Sequence, residues 1–116
     1  KNITLFDNRV IETSYRKTGD EYEITLKTSS EKFLADSLGT ETSVPVADYI
    51  DVGVFAEPTN KKNLGTALIY ERLKIDRKEN TFTFRTKEKP YQVGIDPYNY
   101  LVDRLPEDNL RKPEEL

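Results

Sequence analysis

The 116-residue sequence has no cysteine, no histidine, no methionine and no tryptophan. Without cysteine there is no disulfide, no thiolate nucleophile and no zinc–thiolate site. A cysteine-free chain suits a reducing compartment and a bacterial envelope alike, so compartment stays open. The missing histidine removes the usual general base near neutral pH and the commonest metal ligand. With no methionine the chain as written has no initiator. The expectation is a piece of something longer, because Lys1 runs straight into the strand-like Ile3-Thr4-Leu5-Phe6. No apolar run approaches the roughly 18 residues of a membrane span, and no signal-peptide pattern opens the chain, so direct membrane insertion is not expected. The 18 basic and 21 acidic residues are interleaved, with a net charge of −3. No basic stripe forms, and nucleic acid is not an expected partner.

What the chain does have is alternation. Ile11, Thr13 and Tyr15 share one parity, and Tyr22, Ile24 and Leu26 share another beyond Thr18-Gly19-Asp20. That pattern reads as an antiparallel hairpin with one buried face. Phe33 and Ala35 mark a weaker strand, and Gly39 and Pro45 punctuate a polar stretch that reads as an edge or crossover. Residues 49–56 form the strongest strand: Ile50, Val52, Val54 and Ala56 fill one face, Tyr49 and Phe55 the other, so it is expected to be central and covered on both sides. Pro58 to Asn63 reads as a loop closed by Gly65. Strands follow over 68–75, over 81–85 with Phe82 and Phe84 together, and through Tyr91, Val93 and Ile95. About seven strands, with turn signals every 8 to 12 residues, predict an all-β, Ig-like antiparallel sandwich. The long connection at 36–48 suits a Greek-key crossover better than an up-and-down barrel. The domain is expected to span 1–110, with 111–116 a charged tail that frays.

The search for chemistry finds little. Ser14 and Ser37 read as solvent-facing strand residues with no motif around them, and a Ser–Lys pair would need a desolvated lysine. Asp96, Asp103 and Asp108 are close enough in sequence to suggest an acid–base pair, but a glycosidase needs a cleft that seven short strands have little material to build. They read better as turn-capping acids paired with Arg104. Calcium would take oxygen ligands from Asp103 and Asp108-Asn109. The stretch lacks a D-x-D-x-D-G ladder, and Arg104 supplies its own counter-charge. Tyr98 and Tyr100 follow the stiff Asp96-Pro97 and could be presented to a partner, whereas the strand tyrosines read as half-buried sheet residues.

Three stretches read together are more specific. They are Leu5-Phe6-Asp7-Asn8-Arg9; Ala35-Asp36-Ser37-Leu38-Gly39 with Asp48-Tyr49-Ile50-Asp51-Val52-Gly53-Val54-Phe55; and Pro90-Tyr91 through Gly94-Ile95-Asp96-Pro97-Tyr98-Asn99 to Asp103-Arg104 and Asp108-Asn109. Together they resemble the C-terminal β-sandwich of large bacterial membrane proteins that join an ABC-2-type transporter permease to an M1-family aminopeptidase. The resemblance covers most of residues 5 to 110. It implies a zinc-binding His-Glu-x-x-His helix and a Gly-x-Met-Glu-Asn substrate stretch upstream. Neither is present here, so no catalytic or metal residue transfers and no cofactor is expected in these residues.

The expectation is therefore a non-catalytic accessory domain that buttresses a parent catalytic domain in cis. It would be membrane-associated through that parent, on the side the family context implies, the extracytoplasmic one. Within it, Asp96, Pro97, Tyr98, Tyr100, Asp103, Arg104, Asp108 and Asn109 read as a clasp or an interaction loop that pins the chain end across the sandwich. The alternative is an independent peptide-, glycan- or protein-binding module using an edge strand or the Tyr98/Tyr100 loop.

Overall fold

A computed structural model describes residues 3–59, 64–98 and 109–116, and among them there is no α-helix. Strand β1 (Ile3–Thr18) turns through Gly19-Asp20 into β2 (Glu21–Ala35), and the two pair along their whole length. At about 3.3 Å per residue this ribbon accounts for the 53 Å long axis of the molecule. The far edge of β2 is shared. β3 (Glu41–Val44) covers Lys32–Ala35, and β6 (Glu79–Thr86) covers Tyr22–Ser29. The second sheet runs β5 (Ala67–Ile75), β4 (Asp48–Phe55), β7 (Gln92–Ile95), β8 (Leu110–Arg111). Finally β9 (Glu114–Glu115) pairs in parallel with Ser14 and Tyr15 of β1.

This is an all-β sandwich. The chain crosses between sheets after β3, after β5, after β6 and after β8, and β7 returns beside β4 rather than beside its sequence neighbour. One sheet built around β1, β2 and β6 and the other ordered β5-β4-β7-β8 give the Greek-key arrangement of an Ig-like domain. Nine strands are present among the described residues, where about seven were expected. Phe33 and Ala35 belong to the end of β2 rather than to a separate strand, the 36–48 connection contains the four-residue β3, and β8 and β9 are two-residue strands that carry no readable alternation.

The core lies between the sheets. Val10, Ile24 and Leu26 from one sheet meet Ile50, Val52, Val54, Ile75, Val93 and Ile95 from the other, nearly all with no exposed surface. Burial of each such side chain contributes about 1.5–3 kcal/mol, so the β2, β4 and β7 faces dominate stability. Phe82 and Phe84 stack at 6.3 Å along one margin, as their shared parity predicts.

Two expectations change. Strict alternation groups Ile11 with Thr13 and Tyr15, but a β-bulge falls between Val10 and Glu12, which pair with Thr28 and Lys27. The bulge leaves Ile11 unpaired and 37% exposed, and switches the inward set from Phe6, Asn8 and Val10 to Thr13 and Tyr15. The 111–116 tail, expected to fray, lies against both sheets instead. Arg111 donates from Nη1 to the carbonyl of Ile11 at the bulge, the Lys112 ammonium sits 4.6 Å over the Tyr91 ring, and the Leu116 N–H donates to the Tyr15 carbonyl. Backbone pairing and cation–π contacts hold a segment whose side chains are too charged to bury.

Candidate functional site

The outward face of β4–β5–β7 is the most elaborated surface of the molecule. Along β4, Ile50, Val52 and Val54 point into the core, which leaves Tyr49, Asp51, Gly53 and Phe55 on the other side. Tyr49 is 66% exposed, whereas Asp51 and Phe55 are buried, so the outer covering expected for this strand begins only at Asp51. Gly53 and Gly94 stand opposite each other on β4 and β7. A Cβ on Gly53 would lie 2.8 Å from the Phe55 ring, and one on Gly94 would lie 2.6 Å from Leu110 Cδ2. The two missing side chains let Phe55 and Leu110 lie flat on the sheet. Tyr98 meets Phe55 edge-on at 6.0 Å and Tyr70 at 5.4 Å with a 34° tilt.

Asp51 sits beside these rings. Its carboxylate accepts from Tyr70 Oη at 2.8 Å, from Arg72 Nε at 2.8 Å and from Arg72 Nη2 at 3.5 Å. β4–β5 pairing sets the partners, because Asp51 stands opposite Arg72 and Gly53 opposite Tyr70. The Arg72 hydrogen bonds hold the Asp51 carboxyl below its ordinary value; burial pushes the other way, and Tyr70 and the guanidinium charge add to the lowering. A carboxylate that is ionised at neutral pH with both oxygens engaged is a poor general base. Its chemistry here is to cross-link two strands and orient Tyr70.

Four of the eight residues singled out in sequence meet at this face. The Asp96 N–H donates to the Asp51 carbonyl at 2.6 Å, and its own carbonyl accepts from Asn109 Nδ2 at 3.4 Å. Asp96 has φ +45° and is 2% exposed, and Asn109 is equally buried. Pro97 is buried beside it, and Tyr98 carries the aromatic contacts. Tyr100, Asp103, Arg104 and Asp108 lie outside the described residues. Ser37 is in the turn after β2 rather than in a strand. Among the described residues no group of three or more acidic, His or Cys side chains could hold a metal ion. Sequence reasoning missed Tyr70, Asp51 and Arg72 as a unit. The available signal was Asp51 itself, a charge in a strand otherwise expected to be covered, which demands a partner.

A second surface lies at the free end of the β1–β2 ribbon. No β2 side chain from Phe33 to Ala35 is fully buried, nor any β1 side chain from Ile3 to Leu5. Ile3 stands opposite Ala35 and Leu5 opposite Phe33, which puts four apolar residues on one face. Beyond them the β2–β3 turn holds Leu38 89% exposed. The turn is well tied. Asp36 Oδ1 accepts from the N–H groups of Leu38 and Thr40 at 2.9 Å each, the Asp36 N–H donates to Thr40, and the Gly39 N–H donates to Asp36. Gly39 supplies the φ of +83° that the turn requires.

A cleft of about 230 Å³ opens where β2 exchanges β3 for β6, between Val44–Val46 and Asp76–Lys78. Its charged rim is paired internally, Lys78 with Glu31 and Lys32 with Asp48. Set against known proteins, the chain is matched by no family model, no curated protein and no solved structure.

Proposed function

We propose that this chain is a non-catalytic accessory domain that docks on the rest of a larger protein through the free end of its β1–β2 ribbon. The observation that supports the reading is Leu38, a large apolar side chain displayed in water by a turn that is already ordered. A preorganised anchor loses little conformational freedom on docking, and a single such residue can supply about 2 kcal/mol or more of binding energy. Ile3, Leu5 and Ala35 extend the apolar surface behind it. The resemblance of three sequence stretches supports the identity of the partner: the upstream catalytic domain of a membrane-anchored, M1-type zinc aminopeptidase-like protein, on the extracytoplasmic side.

The outer face of β4–β5–β7 then acts as internal bracing, with Asp96 and Asn109 joining the chain end to β4. A glycan module would need coplanar rings free to stack. Tyr70 and Tyr98 are inclined at 34°, and the Tyr70 hydroxyl is committed to Asp51.

Leu38→Asp in the longer protein tests the docking. The expected result is that this domain melts separately from the catalytic domain while its own melting temperature stays within about 2 °C of wild type, as for a surface substitution. Unchanged co-melting of the two domains would count against the ribbon end as the interface. The upstream coding sequence tests the parent: a His-Glu-x-x-His helix is expected there, and its absence would remove the peptidase context.

A further inference from the structure

The open edge of β6 carries an inference that goes beyond docking in cis. β6 pairs with β2 in unbroken register over Tyr22–Ser29, contains no proline or glycine, and has no second neighbour among the described residues. The other edges differ. β3 has four residues, and β8 and β9 have two each; β5 is broken by a bulge near Leu68 and carries Glu71, Arg72 and Lys74. β1, covered by β9 only at Ser14 and Tyr15, is broken by the bulge between Val10 and Glu12 and carries Asp7, Arg9 and Glu12. A long, regular, open edge is a template for another strand.

The sequence of β6 shows which strand fits. Glu79, Thr81, Thr83 and Arg85 face solvent, and Phe82 and Phe84 are half-buried on the other side. Laid antiparallel against itself about Phe82, β6 places Glu79 opposite Arg85, Thr81 opposite Thr83, and Phe82 opposite Phe82. Opposite charges, paired threonines and facing aromatics are the cross-strand pairs that stabilise antiparallel sheet. We infer that a second copy of this chain pairs along β6, joining the two β1–β2–β6 sheets into one through an isologous two-fold contact. Eight residues make a small interface, so the dimer is weak and concentration-dependent.

Sedimentation equilibrium over a concentration series tests this with the wild type, Glu79→Arg, Arg85→Glu and the double exchange. The wild type should dimerise with rising concentration. Each single variant sets like charges opposite one another and should require about tenfold higher concentration, and the double exchange should restore the wild-type curve. Arg85 also pairs with Glu23 at 3.3 Å and Glu21 at 3.9 Å within the chain. Glu79→Arg, which breaks no ion pair among the described residues, therefore keeps the test valid if Arg85→Glu unfolds. The absence of native cysteine allows a second measurement: oxidised Thr81→Cys/Thr83→Cys should give a covalent dimer. A wild type monomeric throughout, a double exchange no tighter than the single variants, or a dimer that does not cross-link would overturn the pairing.

Discussion

Burying a carboxylate is unfavourable unless its oxygens are matched, and Asp51 shows how few groups suffice. Arg72 supplies two donors and Tyr70 one. Arg72 is itself 68% exposed, so solvent screens part of the attraction. Arg72→Ala is expected to lower stability by about 1–2 kcal/mol, the value of hydrogen bonds to a charged group discounted for that exposure. The pH dependence has a definite sign. The folded Asp51 carboxyl lies below its unfolded value, so the unfolded chain protonates first as pH falls. The pair's stabilisation is complete above the ordinary aspartate range and drains away as pH drops through the folded value. Thermal melts from pH 7 to pH 2 should show a shallower acid slope for Arg72→Ala than for wild type; parallel slopes would mean that Asp51 is not held by Arg72. Sequence alone could flag Asp51 as a charge in need of a partner. Arg72, 21 positions away, could not be identified without the β4–β5 register. At Asp96 the local cue was a short polar residue, which tolerates φ +45°; its contact with Asn109, 13 positions away, again needs the fold.

Among the elements, β1 separates what alternation reveals from what it hides. The Tyr22, Ile24, Leu26 face of β2, the Ile50, Val52, Val54 face of β4 and the Phe82, Phe84 pair of β6 all follow period two and were readable from the sequence. The bulge was not, because Ile11 is as good a strand residue as Val10 and nothing local distinguishes them. The shift of parity comes from long-range pairing: Val10 must meet Thr28 and Tyr15 must meet Ile24. The two residues should therefore respond oppositely to truncation. Val10→Ala is expected to cost on the order of 2 kcal/mol through lost burial and a residual cavity, and Ile11→Ala less than about 0.5 kcal/mol. Urea denaturation of both variants checks this. A larger loss at Ile11 would restore uninterrupted alternation and remove the bulge. The tail escaped notice for a related reason, since β8 and β9 are held by backbone hydrogen bonds and by Lys112 over Tyr91.

At the scale of the whole molecule, the two ends of the sandwich differ in kind. At one end the ribbon closes in the Gly19-Asp20 turn, with Tyr15 and Ile24 buried close by. At the other the ribbon runs out into half-exposed apolar residues capped by Leu38. A folded domain gains nothing by itself from an ordered leucine in water, and docking onto a neighbour gives that feature a use. Hydrogen–deuterium exchange of the longer protein, compared peptide by peptide with this chain alone, tests the claim directly. Docking through the ribbon end requires slower exchange at 3–5 and 33–41 in the longer protein, with little change along β4, β5 and β7. Identical exchange at 33–41 in both proteins would contradict it.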